Sequence, residues 1–140
     1  MNSEFWRLLD HTADLGIEVE GSSLEELFAR AGETVFELMV ELNTVETTVS
    51  RKLVIEGADL PDLWVNYLRE VLYLWGGEGL LMKKVDVNQL TDTYLEATLY
   101  GEPYDSRKHA LMMEIKAVTY HKAEVVRTPE GWKGRVIFDV

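Results

Sequence analysis

The sequence predicts an α+β domain, a mostly antiparallel β-sheet carrying two amphipathic helices. Three observations predict it. The elements run β-β-α-β-α-β-β-β-β, so helices do not alternate with strands as a doubly wound parallel sheet requires. Two pairs of strand-like segments are joined by turn-rich links of hairpin length. No linker or low-complexity segment interrupts the 140 residues, so residues 1–140 form one domain, long enough to bury about 70% of its extended surface.

Residues 5–9 are strand-like, and residues 15–20 alternate apolar and polar, Leu15, Ile17 and Val19 against Gly16, Glu18 and Glu20. Ser22/Glu25 and Ser23/Glu26 each fit a capping box, so a helix starts there and runs over 24–41. Leu24, Leu27, Phe28, Ala31, Val35, Leu38 and Met39 form its core stripe, with glutamates opposite. Residues 51–56 read as a strand that Gly57 ends. Asp59 and Pro61 start a second helix, whose stripe includes Leu63, Trp64, Tyr67, Leu68, Val71, Leu72 and Trp75. Gly76, Gly77 and Gly79 stop it; a phosphate cradle would need the order strand–loop–helix. Residues 85–90 and 94–100 form a hairpin, and 116–127 with 132–139 form another. In 116–127 the alternation puts Ala117, Thr119, His121, Ala123 and Val125 on one face. Each half holds a helix followed by strands, compatible with a degenerate β-α-β-β duplication that sequence identity does not support.

Composition excludes several classes. No apolar run reaches 18 residues and no secretory signal is visible, so neither a membrane span nor export is expected. The absence of cysteine excludes disulfides, thiolate zinc sites and cysteine nucleophiles, and fits a cytoplasmic address. A net charge of −11 weighs against tight, nonspecific binding to nucleic acid and favours basic partners or cations. The charge is uneven: residues 104–135 hold seven basic and four acidic residues, which reads as a solvated basic face or a docking surface.

No nucleotide-binding or hydrolase motif is present. Four polar clusters remain. Asp10-His11-Thr12-Ala13-Asp14 is a capped turn or a cation loop. At Asp139-Val140 a side-chain carboxylate and a terminal one fall within one residue; Val136 and Phe138 face the core and Asp139 turns away. Lys116-Ala117-Val118-Thr119-Tyr120-His121 lies on a strand, and Gly101-Glu102-Pro103 with Asp105, Arg107, Lys108 and His109 forms a polar loop.

Together these clusters resemble the archease family. Residues 10–16 are similar to its H-T-A-D signature, Gly101-Glu102-Pro103 with His109 to its G-E-x segment, residues 116–121 to its K-A-x-T-Y-H signature, and 136–140 to its Asp-apolar C-terminus. The stretch Trp75-Gly76-Gly77-Glu78-Gly79 is richer in glycine than the resemblance leads one to expect. The resemblance implies a protein that catalyses no reaction itself. It implies activation of an RtcB-type RNA ligase that joins tRNA exon halves, by promoting guanylylation with GTP and multiple turnover and by broadening nucleotide use. Some family members are implied to serve as chaperones for a tRNA methyltransferase. The resemblance also implies a cation held by Asp14, Asp139 and the Val140 carboxylate, with Asp10, His11, Lys116, Thr119 and His121 nearby or supporting. Such oxygen donors suit Ca²⁺ or Mg²⁺, with Mn²⁺ also compatible. The implied partners include neither a membrane nor RNA gripped strongly and directly. Two rival readings stand beside it. One is a metal-dependent hydrolase built on His11, His109 and His121. The other is an RNA-binding or methylation chaperone stacking bases on Tyr100, Tyr104, Tyr120 and Trp132.

Overall fold

The computed structural model describes residues 5–9 and 14–140. Among them, seven strands and two α-helices make an α+β fold: β1 (Trp6–Leu9), β2 (Leu15–Gly21), α1 (Leu24–Met39), β3 (Val49–Glu56), α2 (Leu60–Gly76), β4 (Leu80–Leu90), β5 (Tyr94–Pro103), β6 (Ala117–Thr128) and β7 (Gly131–Asp139). Every strand pairing is antiparallel, in two sheets ordered β1-β2-β7-β6 and β3-β5-β4. No helix among the described residues is long and apolar enough to cross a membrane.

Local chemistry sets the helix limits. The Ser23 hydroxyl accepts the Glu26 N–H at 3.1 Å, and Glu26 accepts from the Ser22 amide and hydroxyl at 2.8 Å, so the second of the two capping boxes is the one realised. At α2, Asp59 caps the Asp62 N–H and Asp62 accepts the Ala58 N–H. Gly77 closes the last turn on the Tyr73 carbonyl, and Gly79 takes a left-handed φ of +67° before β4.

Helix α1 meets β2 and β7 of one sheet and β4 of the other; α2 meets β6 of the first and β3, β4 and β5 of the second. The core lies where these faces converge, around Phe28, Phe36, Trp64, Tyr67 and Phe138. Glycine allows two close approaches. Gly32 admits the Tyr67 hydroxyl, which donates to the Phe28 carbonyl at 2.8 Å. Gly134 on β7 admits the Trp64 ring, whose Nε1–H donates to the Arg135 carbonyl at 2.9 Å and whose edge meets Phe28.

Two expectations change. β4 begins at Leu80, well before residue 85: Leu80, Leu81 and Met82 are all buried, a continuous apolar run that carries no period-2 signal. The alternation expected through β6 also fails. Thr119 pairs with Ile137 and Glu124 with Arg135, so four residues of β6, Tyr120 to Ala123, oppose Val136 alone. The bulge reverses parity. Thr119 lies on the outer face with Ile137, whereas Val125 pairs with Gly134, over whose inner side Trp64 packs. Lys122 turns the bulge with a left-handed φ of 56°.

Candidate functional site at the shared end of β2, β6 and β7

The first sheet brings distant sequence together. β2 and β7 are hydrogen-bonded neighbours, with Leu15 opposite Phe138. Ile17, Val19, Val136 and Phe138 point to the core, so one position further on Asp14 and Asp139 fall at the same sheet end, and strand alternation turns both outward. β6 begins at that end too: Ala117 pairs with Asp139, and the Lys116 N–H donates to the Asp139 carbonyl at 2.8 Å. Asp14 is half-buried; Lys116, Asp139 and Val140 are exposed. The Thr119 hydroxyl lies one row in, on the outer face opposite Ile137. It is buried without a hydrogen-bond partner among the described residues. Asp10 and His11 lie outside the described residues.

This donor set is compatible with a hard cation. The Asp14 and Asp139 carboxylates at one strand end are oxygen donors of the kind such an ion takes, and the exposure of Asp139 leaves room for water. Among the described residues no three His, Asp or Glu side chains are arranged to hold a metal ion, so a site would need donors beyond those side chains.

The remaining motif residues do not converge there. His121 is carried by the bulge and is exposed. Next to it, the Tyr120 hydroxyl donates to Asp62 at 2.8 Å, and the Arg69 guanidinium sits 4.4 Å over the Tyr120 ring. His109 is buried at the root of the 104–116 connection, 2.8 Å from Glu102. His109 and His121 thus sit in separate environments, which weakens the histidine-based hydrolase. The aromatics proposed to stack bases are also dispersed: Tyr104 packs on Trp75, Tyr120 under Arg69, Trp132 under Arg127, and Tyr100 lies on the other sheet.

Sequence reading missed a cleft of about 560 Å³ beside this end, lined by Arg69, Tyr73, Trp75, Glu114 and Lys116. It also missed how the basic segment is used. Arg135 and Arg7 bind opposite oxygens of Glu18 at 2.8 and 2.7 Å, and Lys133 stands 3.8 Å away. Glu18 is only 2% exposed although it faces outward, because the arginines cover it. Burial pushes its carboxyl up, but hydrogen bonds from Arg135 and Arg7 outweigh this and hold it below the usual carboxylate range. Lys108 pairs with Glu46 and Glu102, and Arg107 with Asp105. Much of the basic segment is therefore neutralised within the molecule, which reduces what it can offer to RNA.

A model of the archease protein family (MTH1598/TM1083) matches residues 6–140. The chain belongs to the archease family. The archease of Pyrococcus furiosus is 37% identical over 139 residues, covering 96% of this chain and 98% of its own. The Methanosarcina barkeri archease is 31% identical over 139 residues, covering 96% of this chain and 95% of its own. The solution structure of protein 1598 from Methanobacterium thermoautotrophicum superposes with a TM-score of 0.84 at 33% identity, covering 99% of this chain and all of that one. A Thermotoga maritima crystal structure, described as an archease and possible chaperone, shares the fold at a TM-score of 0.66 and 24% identity over 94% of each chain. Of the motif residues described, Asp14 to Gly16, Lys116 and Ala117, and Phe138 and Asp139 fall at the shared strand end, and the G-E-x segment and His109 at the base of the connection leading to it.

Proposed function

We propose that this archease is a non-catalytic protein cofactor that activates an RtcB-type tRNA-splicing RNA ligase in the cytoplasm, promoting its guanylylation and multiple turnover. Its coarser form is chaperone-like action on a protein partner. The observation that carries the reading is the juxtaposition of Asp14 and Asp139, separated by nearly the whole sequence, at one end of adjacent strands and next to Lys116. Asp14, Asp139 and the Val140 carboxylate would hold a divalent cation, Ca²⁺, Mg²⁺ or Mn²⁺, with any further ligands from water or from the partner. When bound, such a cation neutralises phosphate oxygens during phosphoryl-type transfer.

The protein's own residues supply position and charge. The backbone positions of Asp14 and Asp139 are held at one sheet end, because β7 is pinned between β2 and β6. The exposed end can enter a partner's cleft without unfolding anything, and the exposed Lys116 ammonium can meet an anionic group beside the carboxylates.

The test is multiple-turnover ligation by a partner RtcB-type ligase, with and without added divalent ions. Asp14→Ala and Asp139→Ala are each expected to abolish stimulation with the fold retained, since both lie at the strand end outside the core. Stimulation at the wild-type level by both variants would sink the carboxylate-site reading.

A further inference from the structure

The G-E-x segment and its downstream histidine do no work in the reading above, yet they form a buried polar arrangement at the base of the connection that leads to the site. His109 is 2% exposed. Its Nδ1 accepts the Asp105 N–H at 3.0 Å, so that nitrogen carries no hydrogen. The proton is therefore on Nε2, which donates to the Glu102 carboxylate at 2.8 Å. The remaining capacity of Glu102 is also filled, by the Glu46 N–H at 2.9 Å and the Lys108 ammonium at 3.0 Å. Above the imidazole lies Tyr104, whose ring meets the edge of Trp75, and Trp75 Nε1–H donates to Glu114 at 3.2 Å.

This clasp stands at the start of the connection between the two sheets. Glu102 is on β5 of the second sheet, opposite Leu81. From His109 the chain crosses the end of α1, where Leu111 bridges to Val40 and the Met112 N–H donates to the Met39 carbonyl. It then reaches Lys116, whose N–H donates to the Asp139 carbonyl. The connection has no helix or strand of its own; Ile115 is buried and Tyr104 and Met113 pack against the core, while Leu111 and Met112 are exposed, so between His109 and Met113 its backbone contacts carry the path.

We infer that Glu102 and His109 are positioning residues, whose buried hydrogen bond sets the course of residues 104–116 and thereby delivers Lys116 to Asp139 at the functional end. The functional part of this inference rests on the ligase-activation reading; the structural part stands without it. Lys108 contributes charge at the exposed side of the clasp and does not direct the path.

Hydrogen exchange resolved to single amides tests it, with ligation as a second readout. In His109→Ala the Met112 and Lys116 amides are expected to exchange about tenfold faster, while core amides of α1 and β5 keep their wild-type rates. Ligase stimulation should fall in parallel. Glu102→Gln keeps an acceptor for His109 and for the Glu46 N–H, so both readouts should stay within about threefold of wild type. Lys108→Met should leave the two amides unchanged. If His109→Ala does not fold, His109→Gln keeps the donor to Glu102 and loses the acceptor for Asp105, and should accelerate the same two amides by a smaller factor. Unchanged Met112 and Lys116 amides overturn the inference, as does equal acceleration throughout α1 and β5, which is general destabilisation. If the amides respond as expected but the wild-type chain never stimulates the ligase, the activation reading fails and the positioning role survives.

Discussion

The Gly134→Ala substitution would test how tightly β7, the strand that carries Asp139, is held by the core. A methyl group on Gly134 would stand 2.6 Å from both Cη2 and Cζ2 of Trp64. Carbon atoms in contact sit about 3.5–4 Å apart, so the ring would have to retreat by about 1 Å. It has nowhere to go: Trp64 is fully buried, its ring centroid is 5.2 Å from that of Phe28, and Nε1 is tied to the Arg135 carbonyl. Overpacking of this kind costs about 1–3 kcal/mol, and stretching the indole hydrogen bond adds up to about 1 kcal/mol. Removing a glycine from a strand returns about 0.5–1 kcal/mol. The net loss is about 2 kcal/mol, which for a chain of this size lowers Tm by roughly 6 °C. Calorimetry measures it directly. Trp64→Phe removes the part of the ring that clashes, so in that background Gly134→Ala should cost less than about 0.5 kcal/mol, a coupling of about 1.5 kcal/mol in the double-mutant cycle. A Tm within about 2 °C of wild type for Gly134→Ala, or additive effects in the cycle, would refute the packing argument.

Two further outcomes follow from local electrostatics and backbone geometry. The Lys108 ammonium, against the opposing effect of burial and joined by the Glu46 N–H and His109, holds the Glu102 carboxyl down to about 2 from its ordinary 4.5. A carboxyl depressed in the folded state stabilises above its unfolded value, and that stabilisation drains as pH falls from about 4.5 towards about 2. Urea midpoints at pH 6 and pH 3 should therefore diverge more for wild type than for Glu102→Gln, and equal divergence would count against the clasp's charge. Lys122 occupies the left-handed region at φ 56°, which costs a residue with a Cβ about 1 kcal/mol. Lys122→Gly should raise stability by up to about 1 kcal/mol, and Lys122→Val should lower it by at least as much; thermal melts that rank Val level with Gly would remove the bulge strain.

The helices and most strands were legible because their signals are local. Ser23 and Asp59 cap with their own side chains, the apolar stripes repeat at helical spacing, and Gly77 ends α2 by its position alone. The motif residues were legible one cluster at a time. Their relation was not: whether Asp14 meets Asp139 depends on β2 pairing with β7, and no period within either strand encodes its partner. The bulge in β6 was hidden for a similar reason. Its residues alternate as well as any strand on paper, but Tyr120 is drawn to Asp62 and Asn66 of α2 while Glu124 pairs with Arg135 of β7. The extra residues between them let Tyr120 face α2 while Glu124 resumes the pairing with β7.

What belongs to the sequence alone is the inventory and its local order: an acidic, cysteine-free α+β chain with capped helices and the archease motifs in sequence. What required the folded chain is which charges meet. The basic segment read as a surface, yet Arg135 crosses 117 positions to bind Glu18, and Lys108 crosses 62 to reach Glu46. Burial beside a partner, and not the number of charges in a stretch, decides whether a cation is spent inside the molecule or offered outside it, because only in the fold is the water around it replaced by a carboxylate.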